Sequence, residues 1–168
     1  MVVAEAVAVQ QEVGDIPMST PALHKPTKEE LKAAEGQLVP DIIAPNLKAL
    51  FCGINPSVYS AVVGHHFARP GNRFWPALHA SGFTPRVLHP AEDQLLLDYG
   101  LGLTNVFELA TVGEKDVSKE QFIAGGKRLQ ERVLKYRPRV LAILGIGAYR
   151  KGFGRNKAVM GATARKYR

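Results

Sequence analysis

The sequence predicts an α/β fold in which helices cover a mostly parallel sheet. Two short runs, residues 49–52 (ALFC) and 139–144 (RVLAIL), have the composition of strands that are buried on both faces. Segments with helical spacing separate the predicted strands, and this alternation is typical of parallel sheets. With 168 residues, 46% of them hydrophobic, the chain is long enough for one domain with its own core.

The N-terminal part, residues 1–37, is predicted to be a mobile arm with one short helix. Its first 26 residues show no strand or helix periodicity and contain three prolines. Thr27 is followed three residues later by Glu30, which is the spacing of a capping box, so a helix should begin there and stop before Gly36. Residues 38–168 are then predicted to form a single domain.

The elements of this domain are predicted from apolar spacing and from helix start and stop signals. In chain order they are strand 49–52, loop 57–73, helices 73–81 and 90–99, strand 100–106, helix 118–136, strand 139–144 and helix 147–153. Pro76 is tolerable because it falls in a first helical turn. Glu92 and Asp93 also lie in a first turn, where the helix dipole favours acids. Ser118 and Gln121 have the spacing of a cap for the long helix.

The first strand ends abruptly in GINP, residues 53–56, which places a polar amide at its tip. In parallel sheets, ligands bind beyond the carboxyl ends of the strands. Asn55 is therefore either part of an ordinary turn or a residue held at the strand tip to bind something.

Positive charge is concentrated in the last quarter of the chain. Residues 1–124 contain 9 Lys/Arg and 14 Asp/Glu, whereas residues 125–168 contain 13 Lys/Arg and one acid. A solvated lysine-rich helix face would account for part of this asymmetry. A surface for a polyanion, most simply nucleic acid, accounts for it better.

Several classes of protein are excluded or disfavoured. The one cysteine, Cys52, excludes an intramolecular disulfide and cysteine-ligated zinc or iron–sulfur sites, and its apolar neighbours predict a packing role. No apolar run approaches the ~20 residues of a membrane span, so a cytoplasmic protein is expected. The segment 145–150 lacks the third glycine of a dinucleotide fingerprint. His65 and His66 are adjacent and are predicted to be loop residues rather than metal ligands.

A series of short motifs carries a family resemblance from about residue 39 to about residue 161. In order these are GINP (53–56), HFARPGNRFW (66–75), GFT (82–84), LDY (97–99), VSK (117–119), AGGK (124–127) and LAILG (141–145). Their ordered succession resembles the mismatch-specific uracil/thymine DNA glycosylase family of the uracil-DNA glycosylase superfamily.

The resemblance implies a three-layer α/β/α sandwich around a central, mostly parallel four-stranded sheet. It implies a monofunctional enzyme of base excision repair that removes mispaired uracil from double-stranded DNA. Thymine and damaged pyrimidines are further candidate substrates. The nucleotide would be flipped and water would attack C1′, with neither metal nor cofactor. The expected partner is DNA with G·U or G·T mismatches, bound by a monomer.

The resemblance also assigns roles to residues. Asn55 matches the catalytic asparagine that positions the water. Ile54 and Phe67 match positions whose backbone N–H groups contact the flipped base, the Phe67 ring stacks on that base, and Ser60 matches a pocket serine. Separately from these matches, the basic last quarter of the chain supplies the cations expected to hold phosphates: Lys127, Arg128, Arg150, Lys151, Arg155 and Lys157.

The sequence departs from the family pattern in two places. Ser57 follows GINP where glycine is common, which adds a side chain beside the pocket. The family's last strand and its Asn-Pro-Ser-Gly-type wedge loop have no counterpart, so a truncated chain is favoured over a protein without the wedge.

An asparagine cannot accept a proton as a carboxylate does, so an acid is a candidate assistant for Asn55. The candidates in the matching region are Glu92, Asp93, Asp98 and Glu108. For each, a role as helix-dipole partner or surface charge is favoured. Two other functions stay open: a DNA-binding module that has lost catalysis, and an enzyme acting on small nucleotides.

Overall fold

A computed structural model of the chain describes residues 22–161, and a three-stranded parallel sheet lies at its centre. The strands are β1 (Ala49–Gly53), β2 (Leu101–Asn105) and β3 (Val140–Ile143), in the spatial order β2-β1-β3. All residues of β1 and β2 are buried, which explains the continuous apolar sequence of β1, whereas β2 ends in the buried polar residues Thr104 and Asn105. The α/β prediction is confirmed, and the fourth strand of the family is absent from residues 22–161.

The helices lie on both faces of the sheet and give three layers. Leu50 and Cys52 point to one face, where α4 (Lys119–Tyr136) and α5 (Ile146–Phe153) cover them. Ala49 and Phe51 point to the other face, where α3 (Phe74–Ala80) packs. No helix within residues 22–161 is long and apolar enough to span a membrane. The helices are α1 (Lys28–Ala33), α2 (Val58–Val63), α3 (Phe74–Ala80), α4 (Lys119–Tyr136), α5 (Ile146–Phe153) and two 3₁₀ helices, Pro90–Tyr99 and Glu114–Asp116.

The predicted helix starts are confirmed at atomic detail. The Thr27 hydroxyl accepts from the Glu30 amide while the Glu30 carboxylate accepts from the Thr27 amide. Ser118 and Gln121 form the same reciprocal pair at the start of α4.

The prediction of a loop over residues 57–73 is wrong for its first part, because α2 occupies Val58–Val63. Ser57 caps this helix: its Oγ accepts from the Ser60 amide at 3.1 Å. Gly64 ends the helix in the left-handed conformation. The helix has only six residues, three of them valines that disfavour helix, so apolar spacing did not reveal it and its sequence signals were the cap Ser57 and the stop Gly64.

The residues just after α1 are hydrogen-bonded to the domain. Ala34 is buried, the Gly36 amide donates to the Ala110 carbonyl, and the Ala110 amide donates to the Gln37 carbonyl. Of the arm predicted to be mobile, residues 1–37, the first 21 residues lie outside the described residues, as do residues 162–168.

Two adjacent glycines allow the backbone of α4 to lie directly against the backbone of the segment after β2 and of α5. A Cβ at Gly125 would overlap the carbonyl of Val106, just beyond β2, and a Cβ at Gly126 would overlap the carbonyl of Gly152 in α5. The positions of α4 and α5 relative to the end of β2 therefore depend on this glycine pair.

We predict that Gly126→Ala lowers the free energy of unfolding by about 2 kcal/mol or more. The new methyl group forces α4 and α5 apart, which outweighs the gain in helix propensity. Urea denaturation of both proteins measures the difference. Gly113→Ala is the control, because a Cβ there meets its nearest atom at 3.8 Å in extended backbone. Equal stability of the Gly126 variant and wild type would contradict the packing argument.

Candidate active site

A pocket of about 260 Å³ opens where β1 and β2 end. The two strands are paired in parallel with Gly53 opposite Asn105, so both tips reach the same edge of the sheet. The lining residues are Gly53, Ile54, Asn55, Pro56, Ser57, Ser60, His66, Phe67, Asn72, Asn105, Glu114 and Leu144. The predicted site residues Ile54, Asn55, Ser60 and Phe67 are thus brought together.

The side chain of Asn55 is held in one orientation. Its Nδ2 donates to the Pro56 carbonyl at 2.8 Å and to Thr111 Oγ1 at 2.7 Å. A carbonyl oxygen can only accept, and the Thr111 hydroxyl donates its own hydrogen to the Gly113 carbonyl. Both contacts therefore require the nitrogen on that side. Among the described residues, Oδ1 of Asn55 has no hydrogen-bond partner, so it is available to accept from a ligand.

The aromatic ring of Phe67 forms part of the pocket wall. It stacks on Phe74 of α3, with centroids 4.1 Å apart and planes at 21°. Phe67 has a φ of 52°, a left-handed conformation that is rare for an aromatic residue. At Gly53, a Cβ would lie 2.5 Å from Asn105 Oδ1 and 3.2 Å from the Phe67 ring. Only glycine at this position lets both side chains enter the pocket.

Asn105 and His66 form a buried polar chain behind the pocket. His66 Nε2 lies 2.8 Å from the Pro40 carbonyl and must donate to it, which leaves Nδ1 to accept from Asn105 Nδ2 at 3.5 Å. Burial lowers the pKa of His66, so the neutral imidazole that this chain requires is favoured. Arg132 of α4 donates to the Asn105 carbonyl at 3.3 Å and fixes the strand tip from the other side.

The serine predicted to line the pocket is buried. Ser60 Oγ accepts from the Ala68 amide at 3.2 Å, which ties α2 to the Phe67 loop. Ser57, the residue that departs from the family pattern, directs its hydroxyl at Ser60 Oγ, 3.1 Å away. Its side chain therefore serves the helix cap at the wall of the pocket.

A buried acid, Asp93, anchors the two loop histidines. Asp93 Oδ2 lies 3.1 Å from His65 Nδ1 and accepts from the His66 amide at 3.3 Å. Asp93 is 2% exposed and is therefore not a surface charge. The main contacts of its carboxylate are with His65 and His66, which the interpretation as a helix-dipole partner did not include. Among the described residues, no group of three or more His, Cys, Asp or Glu side chains is arranged to hold a metal ion.

The four acids proposed as assistants of Asn55 do not line the pocket. Glu92 pairs with Arg86 through contacts of 2.6 and 2.9 Å. Glu108 pairs with Arg132 at 2.6 Å, and Asp98 is exposed. Glu114 is the carboxylate that lines the pocket, and it was not among the four acids predicted from the sequence. Asn105 was also missed, although its place at the tip of the second predicted strand was a usable signal.

The six predicted phosphate ligands divide into two groups. Three of them have a partner within the protein: Arg150 donates twice to the Ala158 carbonyl, and Lys151 Nζ lies 3.2 Å from Glu114 Oε1. The third is Arg128, whose Nε lies 3.4 Å from Glu108 Oε1 without hydrogen-bond geometry. The other three, Lys127, Arg155 and Lys157, are exposed and have no partner among the described residues.

Cys52 lies in the core behind the pocket. It is fully buried, and burial raises the pKa of its thiol. The thiol is therefore a packing group, as its sequence context predicted.

Comparison with known families identifies the superfamily of the chain. The family model described as the uracil DNA glycosylase superfamily matches residues 40–167, about three quarters of the chain. This range contains every residue that lines the pocket.

We predict that Glu92 stabilises the folded protein at neutral pH and that this contribution is lost in acid. Arg86 and the His89 amide lower the pKa of Glu92 from 4.5 to about 2. Because the folded-state value is the lower one, this stabilisation is present above about pH 4.5 and is lost as the pH falls towards 2. Glu92→Gln should cost about 1 kcal/mol at pH 7, since solvent screens the half-exposed Arg86, and the cost should shrink below pH 4.5.

The measurement is urea denaturation between pH 2 and 7, with the exposed Glu29→Gln as control. A cost for Glu92→Gln that does not change over this range would contradict the assignment.

Proposed function

The chain belongs to the uracil DNA glycosylase superfamily, and we propose that it excises mispaired uracil from double-stranded DNA. The observation that carries the proposal is the fixed amide of Asn55, whose Oδ1 has no partner within residues 22–161 and which lines one pocket with the Phe67 ring and the Asn105 amide. In the mismatch-specific reading, the substrate is uracil opposite guanine, with thymine as a weaker substrate and DNA as the only partner required.

The pocket supplies what hydrolysis of an N-glycosidic bond needs. Asn55 Oδ1 accepts a hydrogen bond from water and directs its oxygen at C1′. The departing base carries negative charge, which fixed backbone N–H groups at Ile54 and Phe67 stabilise. The Phe67 ring stacks on the base, a contact worth ~1–3 kcal/mol.

Asn105 is suited to reading the base edge. A side-chain amide has an oxygen that accepts and an NH2 group that donates, and the hydrogen bond from Nδ2 to the neutral His66 Nδ1 fixes the positions of the two groups. Asn105 Oδ1 then faces the Gly53 side of the pocket as an acceptor. A pyrimidine with an N–H donor on its pairing edge, as uracil has, satisfies it, whereas cytosine offers no N–H at the same ring nitrogen.

Mismatches are preferred for a physical reason. The nucleotide has to leave the duplex before it reaches a pocket at the end of the sheet, and an ill-paired base costs less to unstack. Cations on the surface then hold the flanking phosphates.

We predict that the protein releases uracil from a duplex with one U·G pair and that Asn55→Ala slows release at least ~10²-fold at saturating protein, because the water is no longer oriented. Single-turnover release, followed by alkali cleavage at the abasic site, is the measurement. T·G, U·A and single-stranded uracil substrates run in parallel set the base range.

Two further variants sharpen this experiment. Thr111→Val should cause a smaller fall than Asn55→Ala, because the Pro56 carbonyl still holds the amide. Asn156→Ala, at an exposed asparagine outside the pocket, should match wild type. Tight binding of U·G DNA without any release by wild type would identify a DNA-binding module instead.

We also predict a steep salt dependence of DNA binding. Each phosphate contact contributes about −0.9 to the slope of log K against log salt, so a triple alanine variant of Lys127, Arg155 and Lys157 should make the slope shallower by about 2 to 3. Fluorescence anisotropy with an uncleavable duplex between 50 and 300 mM salt measures it. Lys28→Ala, on α1, is the control, and an unchanged slope in the triple variant would show that these cations do not face DNA.

A further inference from the structure

Glu114 brings a carboxylate into a pocket whose asparagine cannot accept a proton. Of the described residues that line the pocket, Glu114 is the one with a carboxylate. We propose that Glu114 is the general base that takes a proton from the water oriented by Asn55. This inference rests on the proposed glycosylase function and adds a catalytic residue to it.

The position of the Glu114 carboxylate is fixed on one side only. Oε1 lies 3.2 Å from Lys151 Nζ, and a Cβ at Gly147, in the first turn of α5, would meet the same oxygen at 3.2 Å. Oε2 has no hydrogen-bond partner among the described residues. One oxygen is therefore held by α5, and the other is available to a water molecule in the pocket.

Glu114 is connected to Asn55 through the backbone that carries it. The Thr111 amide donates to the Pro56 carbonyl at 3.2 Å, and Thr111 pairs with Ser57 in a parallel bridge. The Thr111 hydroxyl links Asn55 Nδ2 to the Gly113 carbonyl, one residue before Glu114. The segment that begins at Thr111 therefore both orients the Asn55 amide and carries Glu114, so the positions of the two side chains are linked.

The other titratable side chain of the pocket is unsuited to this role. His66 Nε2 donates to Pro40, its Nδ1 accepts from Asn105, and the ring is buried behind the pocket. It has no nitrogen left to accept a proton from water without breaking this chain.

The chemical step balances with water as the only co-reactant. The water oxygen forms a bond to C1′ while the C1′–N1 bond breaks, and the electron pair of that bond leaves with the base. One proton of the water passes to Glu114 Oε2, and the departing base anion takes a proton from solvent. Release of the proton from Glu114 to solvent then restores the carboxylate.

The test is single-turnover uracil release by the full chain at saturating protein. Glu114→Gln, which keeps the shape of the side chain and removes its basicity, should lower the rate by ~10²–10⁴-fold. Glu131→Gln changes the net charge equally on the exposed surface of α4 and should stay within about 3-fold of wild type, as expected of a solvated surface charge. Affinity for an uncleavable duplex, measured by anisotropy, should not fall in either variant.

A second variant separates basicity from structure. Glu114→Ala should be slow and should regain rate when sodium formate is added, whereas sodium chloride at equal ionic strength should have no such effect. A Glu114→Gln rate within 3-fold of wild type, or absence of formate rescue together with normal DNA affinity, would overturn the role of Glu114 and leave the proposed function intact. Absence of uracil release by wild type would overturn the proposed function and, with it, this inference.

Discussion

The parallel pairing of β1 with β2 is the interaction on which the site depends. The register sets Cys52 opposite Thr104 and Gly53 opposite Asn105, so the two strands end at the same level. A shift of one residue would turn each buried side chain to the opposite face of the sheet. The close approach of Asn105 and Phe67 over Gly53 is possible only in this register, because no side chain stands between them.

Around this edge, the side chains of Asn55 and Asn105 are each held by atoms from distant parts of the chain. Asn55 is held by its neighbouring carbonyl and by a threonine 56 residues later. Asn105 is held by a loop histidine on one side and by Arg132 of α4 on the other. Such preorganisation allows a polar site to act without rearranging during the reaction. It also explains why the Gly125–Gly126 pair in α4 matters, since α4 must lie close to the end of β2.

The elements that could be predicted from sequence are those with a local cause. The apolar runs of β1 and β3, the caps at Thr27 and Ser118, and the amide at the strand tip each depend on neighbouring residues. The elements that were missed depend on distant contacts. Asp93 is buried because two histidines 27 and 28 residues earlier meet its carboxylate, and no local pattern records that. Glu114 begins the three-residue 3₁₀ helix Glu114–Asp116. It is held at the pocket by its contact with Lys151 and by the hydrogen bond from the Thr111 amide to the Pro56 carbonyl.

The single thiol has a practical consequence. Cys52 is the only cysteine of the chain, and its complete burial withholds it from reagents while the fold is intact. A cysteine introduced at the pocket rim would therefore be the sole reactive sulfur under native conditions. A fluorophore attached there would report the arrival of a ligand in the pocket in real time. The core packing of one strand thus makes binding at the pocket observable with a single label.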